Sequence, residues 1–488
     1  MLVQTVRAGY KSGCGCFSEV SPQITQIVLL IVLAGTTAGV LGQQSTRAGE
    51  SVDAHTQRGM IAAEANDLRE AERQFAAAAS LAPSDPSTRN NYGAILLRLG
   101  RTAEARAQFE ASLKLNPDQP SALTNLAQIY FDSGQPGDLR MARSLLERAA
   151  KNTTDVQVSR ALVTTGLKLG QTFIAKGSLD EAIAELNNAL TLDPTNTDVV
   201  LNLSRAQFLK KDLRAAGRTL ESAVARGLDE AKLYAALADV YEADGHFENA
   251  IPAMRLAIAR DPRNEAYHFR YGLLLTDSHA PAAGIVRLQE ALKQFPNSAR
   301  LWLALGIAQL TYGQNVEAEN SFNRSLALDA KAVPALAYLG MTYAERGAYE
   351  KAIEFYKQAI ALNARLAAPH YLVADTMLKT SKPDTTSAEK YLRRAIELDP
   401  NLGAAYLTLG RLYVRTDRYA EAAPLLERAV SLQPELPEAH YQLSRVLVKL
   451  KRPDEANREL GIFKELSEKQ KAGNESREIV RRLANVKF

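Results

Sequence analysis

The chain has 488 residues, 46% of them hydrophobic and 23% charged, with a formal net charge of +4. So small a charge over that length argues against a nucleic-acid or anionic-membrane binder. Cys14 and Cys16 are its two cysteines and both lie near the N-terminus, so the rest of the chain holds neither a disulfide framework nor a cysteine metal site.

Residues 1–42 read as targeting. Arg7 and Lys11 precede the unbroken apolar run Ile27–Leu33, and Ala34, Gly35, Thr36, Thr37, Ala38 and Gly39 follow it. Basic, apolar, then small is the order of a secretory signal. Cleavage before Gln43 or after Ala38 fits. The other reading is an uncleaved anchor, because residues 24–42 are barely long enough to cross a bilayer. Either way the remainder is delivered across a membrane, periplasmic or secreted in the first case and tethered in the second. Residues 43–51 read as a linker.

From residue 52 the sequence repeats every 34 positions. Ser80-Leu81-Ala82-Pro83 returns as Lys114-Leu115-Asn116-Pro117, Thr191-Leu192-Asp193-Pro194, Glu397-Leu398-Asp399-Pro400 and Ser431-Leu432-Gln433-Pro434. Leu228, Ala330 and Ala364 stand where a Pro is expected. A fixed period of this size means stacked supersecondary units, overriding the roughly three domains that length alone suggests.

Each unit divides into two amphipathic helices. In Val333–Leu366 the first carries Leu336, Leu339, Gly340 and Tyr343, and the second Ala352, Tyr356 and Ala359. Spacings of three and four keep each set on one stripe. Gly340 and Ala352 are predicted to let the helices approach, and Gly347 to end the first by turning left-handed. Asp-Pro or Asn-Pro ends the second helix in other units.

Twelve units fit residues 52–470. The period breaks near 135–159, where nine residues are extra, and near 381–385, where two are. Insertions are expected in loops. Gly473-Asn474 is predicted to stop the last helix. Residues 471–488 are then a short capping helix whose Ile479, Val480 and Leu483 cover the apolar end of the stack.

The recurring residues resemble the tetratricopeptide repeat. An aromatic at position four, Leu-Gly at seven and eight, and Tyr at eleven recur, as do Ala at twenty and twenty-seven and Pro at thirty-two. Trp302, Leu305, Gly306, Ala318 and Phe322 carry the pattern in one unit. Tyr406, Leu409, Gly410, Tyr413, Ala422, Leu426, Ala429 and Pro434 carry it in another. The resemblance implies an all-α fold, a right-handed superhelical solenoid of about twelve helix-turn-helix units. It also implies protein or extended-peptide partners held along a concave face lined by the first helices.

Carried over by position, that face takes Asn91, Asn125, Lys168, Asn202, Arg270 and Tyr338 at position six. Position nine supplies Arg205, Met341, Arg411 and Arg445. Asn91, Asn125 and Asn202 resemble part of the asparagine ladder of O-GlcNAc transferases, whose amides bond a peptide backbone without reading its sequence. Lys168 interrupts the ladder. No Asn stands at position nine, which speaks against a carboxylate clamp for chaperone tails. Phe208, Tyr371 and Tyr441, with Tyr338 and Met341, make the later part of the face apolar and aromatic, suited to an apolar segment or helix.

Chemistry is sparse. His55, His268, His370 and His440 occupy position four, where they read as packing residues rather than ligands. His246 and His279 lack a companion at metal spacing. There is no phosphate-cradling loop, nucleophile elbow or His-Glu-x-x-His. No catalytic, metal or cofactor site is expected. The sequence reads as a non-catalytic binding scaffold acting outside the cytoplasm. The alternative is an accessory subunit positioning substrates for an envelope transferase or a secretion or assembly complex.

Overall fold

A computed structural model describes the backbone of residues 51–484 and the side chains of residues 51–471. The targeting segment 1–42 and the linker up to residue 50 lie outside the described residues.

Among the described residues the chain forms 24 α-helices and no strand, arranged as twelve successive hairpins. Repeats 1 to 3 pair α1 (Val52–Glu64) with α2 (Leu68–Leu81), α3 (Pro86–Arg98) with α4 (Thr102–Leu115), and α5 (Pro120–Ser133) with α6 (Pro136–Lys151). Repeats 4 to 6 pair α7 (Val156–Lys176) with α8 (Leu179–Leu192), α9 (Thr197–Leu209) with α10 (Leu213–Ala225), and α11 (Ala231–Ala243) with α12 (Phe247–Arg260). Repeats 7 to 9 pair α13 (Glu265–Asp277) with α14 (Pro281–Gln294), α15 (Ala299–Tyr312) with α16 (Asn315–Leu328), and α17 (Val333–Glu345) with α18 (Tyr349–Leu362). Repeats 10 to 12 pair α19 (Ala367–Met377) with α20 (Thr385–Leu398), α21 (Gly403–Arg415) with α22 (Tyr419–Leu432), and α23 (Pro437–Lys449) with α24 (Pro453–Ala484). The described chain divides into two compact bodies at Asp261 and Pro262, repeats 1 to 6 and repeats 7 to 12.

Within a hairpin the close approach falls where the period predicts it. A Cβ on Gly340 would lie 2.4 Å from Cε1 of Tyr356. The same relation, sixteen residues apart, joins Gly59 to Phe75, Gly93 to Phe109, Gly306 to Phe322 and Gly410 to Leu426. The large side chain therefore lies flat on a bare stretch of helix, which sets the separation of the pair. Between successive repeats the core continues within each body. In the second body it extends from Phe269 through Tyr338 and Tyr371 to Ala456.

The turn inside eleven of the twelve hairpins, all but that of repeat 10, uses one left-handed residue. Gly100, Gly134, Gly177, Gly245, Gly313 and Gly347 have φ between 67° and 92° there. Asn66, Lys211, His279, Asp417 and Lys451 fill the same place with φ between 57° and 70°. His279 is thus a turn residue in a backbone state that costs a side-chain-bearing residue energy.

Two expectations about irregular segments change. The extra residues near 135–159 lie mainly in helix, not loop. α6 has 16 residues and α7 has 21, against 14 and 13 for the corresponding α8 and α9. Asp155 accepts from the Gln157 amide and starts α7 early, and Val158, Ala161 and Leu162 in the added turns are buried. A helix satisfies its own backbone, whereas a long loop must find partners elsewhere, so an apolar insertion adds turns. The two residues near 381–385 do fall in a connection, between Met377 and Thr385. At the C-terminus α24 continues through Gly473-Asn474 to Ala484 without a stop. The positions Ile479, Val480 and Leu483 lie beyond the described side chains.

Candidate binding face

The first helices place the candidate side chains in three settings. Seven of the twelve candidates are buried. Asn91, Asn125 and Asn202 retain only 1%, 2% and 1% of their exposure, and Arg270, Tyr338, Met341 and Tyr371 are buried as well. Lys168, Arg205 and Phe208 are half-buried, and Arg411 and Tyr441 are exposed.

The asparagines are structural. Asn125 Nδ2 donates to Asn90 Oδ1 at 3.0 Å, and Asn90 Nδ2 donates to Asn91 Oδ1 at 3.2 Å, tying repeat 2 to repeat 3. Asn202 Nδ2 donates to the Asp198 carbonyl at 2.8 Å on its own helix. Buried amides must be hydrogen-bonded inside the fold, and these have no surface to offer a peptide. Their expected role as a ladder is corrected accordingly.

The aromatic candidates are likewise core. Tyr338 stacks on Phe322 with ring centroids 5.7 Å apart. Burial pushes the Tyr371 phenol up, with the Asp375 carboxylate adding to the rise and Thr408 hydrogen-bonding to it. Lys168 closes the end of α5, donating to the Phe131 carbonyl at 2.9 Å with its ammonium 4.1 Å from that ring's centre. This is a helix C-cap and cation–π contact in one residue.

Position four does more than pack. His268 Nε2 lies 3.0 Å from the Pro262 carbonyl, His370 Nε2 3.2 Å from that of Ala364, and His440 Nε2 2.9 Å from that of Pro434. Trp302 Nε1 donates to the Pro296 carbonyl at 3.0 Å and Arg89 Nε to that of Pro83 at 2.8 Å. Each reaches six residues back to the turn that ends the preceding repeat. A carbonyl only accepts, so each histidine carries a proton on Nε2; His440 Nδ1 in turn faces Glu459 Oε2 at 2.5 Å. This explains why His substitutes for Trp here: both place an N–H where a turn carbonyl needs one. The common interval of six was a signal available in the sequence, but residue type alone spoke only of packing.

Tyrosines at position eleven tie neighbouring repeats. Tyr343 Oη donates to Glu319 Oε1 at 2.6 Å and Tyr241 Oη to Glu221 Oε1 at 2.8 Å. Glu319 and Glu221 are therefore inter-repeat partners at these places.

Among the open positions on the first helices is a basic group at the end of the second body. Arg411 and Arg415 on α21, and Arg445 and Lys449 on α23, are all exposed. Arg411 and Arg445 are the position-nine residues named from the sequence; Arg415 and Lys449 stand four residues further along the same helices. Among the described residues no group of His, Cys, Asp and Glu stands together to hold a metal ion. No helix among them is long and apolar enough to cross a membrane.

Comparison with known proteins follows the geometry. Models of the tetratricopeptide repeat match residues 56–120, 95–155, 173–240, 231–264, 272–333, 333–365, 384–437 and 416–461, which together take in well over half of the chain. Among curated relatives, Protein O-mannosyl-transferase TMTC3 of Homo sapiens is 28% identical over 197 residues, 40% of this chain and 21% of that protein. Anaphase-promoting complex subunit 3 of Schizosaccharomyces pombe is 27% identical over 133 residues, 27% of this chain and 20% of that protein. The chain thus spans about a fifth of the length of these relatives. Among solved structures, yeast Tom70 is 18% identical with a TM-score of 0.44, covering 89% of this chain and 97% of that one. MamA is 25% identical with a TM-score of 0.31, covering 34% and 97%. Scores this low carry no argument about this chain. The repeat models, matched along its length, do: the chain belongs to the tetratricopeptide-repeat family.

Proposed function

We propose that the protein is a non-catalytic scaffold that acts outside the cytoplasm and holds protein or extended-peptide partners along the face lined by its first helices. Family membership supports binding of protein partners. One observation carries the choice of face. The hairpins consume most inward-pointing groups in packing, yet Arg411, Arg445 and Tyr441 stay exposed on first helices. Rigid helices present such side chains at fixed spacing, which suits recognition of a second chain. Lys168, Arg205 and Phe208 are the half-buried members of the same face.

Photo-crosslinking tests the face. A photoreactive residue at Arg411 is expected to trap a partner, and one at Leu362, exposed at the end of α18, is not. Equal trapping from both sites removes the first-helix face from the reading. Export has its own test. Residues 1–50 fused to an alkaline phosphatase that is active only outside the cytoplasm should give activity; an inactive but intact fusion removes export.

The accessory-subunit alternative loses its support. It rested on Asn91, Asn125 and Asn202 as a substrate ladder, and they are buried. The likeness to a protein O-mannosyl-transferase covers 21% of that relative.

A further inference from the structure

We propose that the first-helix face of repeats 11 and 12 binds an acidic, extended segment of a partner protein, with carboxylates at about every third residue. The proposal rests on the scaffold reading and names the chemistry of its partner.

Arg411 and Arg415 lie four apart on α21, and Arg445 and Lys449 lie four apart on α23. Residues four apart share one helix stripe. The two pairs are related by one period of 34, so they form a block of four cations on adjacent helices. All four are exposed, and the Arg411 side chain keeps 53% of its exposure.

Some cations in these repeats have acidic partners: Arg418 pairs with Glu389 at 2.9 Å and with Glu421 at 2.7 Å, and Arg452 pairs with Glu455 at 2.6 Å. Arg428 instead donates to the Pro400 carbonyl and Asn401 Oδ1. The block differs in gathering four cations at matching places on two successive first helices. Among the described residues Arg415, Arg445 and Lys449 make no ion pair, and Arg411 reaches only Glu438, at 3.9 Å. Arg415 and Lys449 close their helices, where the dipole favours a cation. That account fails for Arg411 and Arg445, which stand inside α21 and α23. Four like charges on neighbouring turns repel one another, and an acidic ligand would relieve this.

The ground around the cations is mixed. Tyr441 is 37% exposed and Val448 62% exposed on α23, and the Arg445 guanidinium lies 5.7 Å from the centre of the Tyr441 ring. Arg445 also donates to Gln442 Oε1 at 3.4 Å, and Gln442 donates to Glu438 Oε1 at 2.7 Å. Neighbouring helices stand about 8–10 Å apart. An extended chain advances about 3.3–3.6 Å per residue, so acidic side chains three apart match the step from α21 to α23. Nucleic acid fits less well. Its affinity comes from many phosphate contacts, whereas the block spans two repeats in a chain of net charge +4.

The test uses the full chain and fluorescence anisotropy. The probe is a labelled 15-residue peptide with Glu at every third position and Ala and Ser between. Its control carries Gln for every Glu. The Glu peptide is expected to bind and to weaken as salt rises, and the Gln peptide not to bind. Arg411→Glu with Arg445→Glu should weaken binding about tenfold or more. Arg411→Gln with Arg445→Gln gives a milder loss in the same direction and serves if charge reversal perturbs folding. No binding of the Glu peptide, binding unchanged in both double variants, or tighter binding of a 12-nucleotide single-stranded DNA overturns the proposal. If the peptide fails while crosslinking from position 411 still traps a partner, this inference falls and the scaffold reading stands.

Discussion

Tyr413 Oη donates to Glu389 Oε1 at 2.6 Å, joining α21 of repeat 11 to α20 of repeat 10. Arg393 donates to the same phenol oxygen at 2.7 Å, and Arg418 to Glu389 Oε2 at 2.9 Å. The carboxylate thus sits among three donors on two repeats. A solenoid has no contacts between distant parts of the chain, so each interface between neighbours holds its own section. Tyr413→Phe is expected to lower stability by about 1–2 kcal/mol, the loss of a hydrogen bond to a charged acceptor. Hydrogen exchange should show the loss concentrated in repeats 10 and 11. Uniform loss of protection across the second body would mean that this body unfolds as a single unit.

The same cluster sets an acid limit. Burial would raise the Glu389 carboxyl, but hydrogen bonds from Tyr413, Arg418 and Arg393 outweigh it and hold the group below its ordinary 4.5. A carboxyl depressed in the fold contributes stability that is complete above the unfolded value and lost as pH falls through the folded one. Denaturant midpoints should therefore decline below about pH 4.5. Glu389→Gln should flatten part of that decline; an unchanged profile would mean that Glu389 does not contribute to it.

His370 works in a higher window. Burial, with the Arg394 charge adding, pushes its imidazole below the ordinary 6.5, against the opposing pull of the Ala364 carbonyl. Its Nδ1 is buried with no hydrogen-bond partner, so protonation there has nothing to receive it. A histidine depressed in the fold stabilises above the unfolded value, and that contribution is lost as pH drops through the folded one. The wild-type protein should thus lose stability as pH falls below about 6.5. His370→Trp, which keeps an N–H at position four as Trp302 does, should remove this step; calorimetry across the window reads it.

Gly340 and Tyr356 test the hairpin contact. A Cβ on Gly340 would stand 2.4 Å from the Tyr356 ring, so even Gly340→Ala overpacks, by about 1–3 kcal/mol, and Gly340→Leu costs more. Repeat 6 shows the compensation. Ala238 and Met254 occupy the two corresponding positions and both are buried. Tyr356→Met in the Gly340→Ala background should recover part of the loss, because a flexible thioether can move aside. A double-mutant cycle measures the coupling, and strict additivity would show that the two residues do not constrain each other.

The left-handed turns give a prediction of opposite sign. Gly347 has φ of 77° and a Cβ added there would meet nothing within 4 Å, so Gly347→Ala costs conformational energy alone, about 1 kcal/mol. Lys211 stands in the equivalent turn with φ of 70°. Lys211→Gly should stabilise, by less than about 1 kcal/mol, because glycine's greater freedom in the unfolded chain offsets part of the relief. Thermal unfolding of the two variants should move in opposite directions.

The fold was legible because its marks are backbone marks. Gly340 and Gly347 answer to steric demands that few other residues meet, so their recurrence at 34 displays the architecture directly. The site was less legible because polarity at an inner position has two causes. Asn125 and Arg411 both stand on first helices, one sealed beneath the surface by Asn90 and the other open to solvent. Only the neighbouring repeat decides between them, and that neighbour is a packing fact rather than a sequence pattern. The insertion near 152–159 was misplaced for a related reason. The period counts extra residues but does not say whether Val158 and Ala161 add turns or lengthen a loop.

The asparagines now carry a sharper expectation than a binding ladder would. Replacing Asn91, Asn125 and Asn202 together with Ala would have been expected to weaken partner binding and leave stability alone. The structure points the other way. Asn125→Ala removes the buried amide that donates to Asn90 Oδ1 across the repeat boundary, which costs about 1–3 kcal/mol. Asn202→Ala removes a bond to its own helix's Asp198 carbonyl, and that oxygen already serves the helix ladder, so its cost should be smaller, about 1 kcal/mol or less. Calorimetry should rank Asn125→Ala as the more destabilising. Crosslinking from position 411, which lies in the other body, should be unchanged in both variants. If Asn125→Ala leaves the melting temperature untouched and abolishes partner capture, the amide faces a ligand after all.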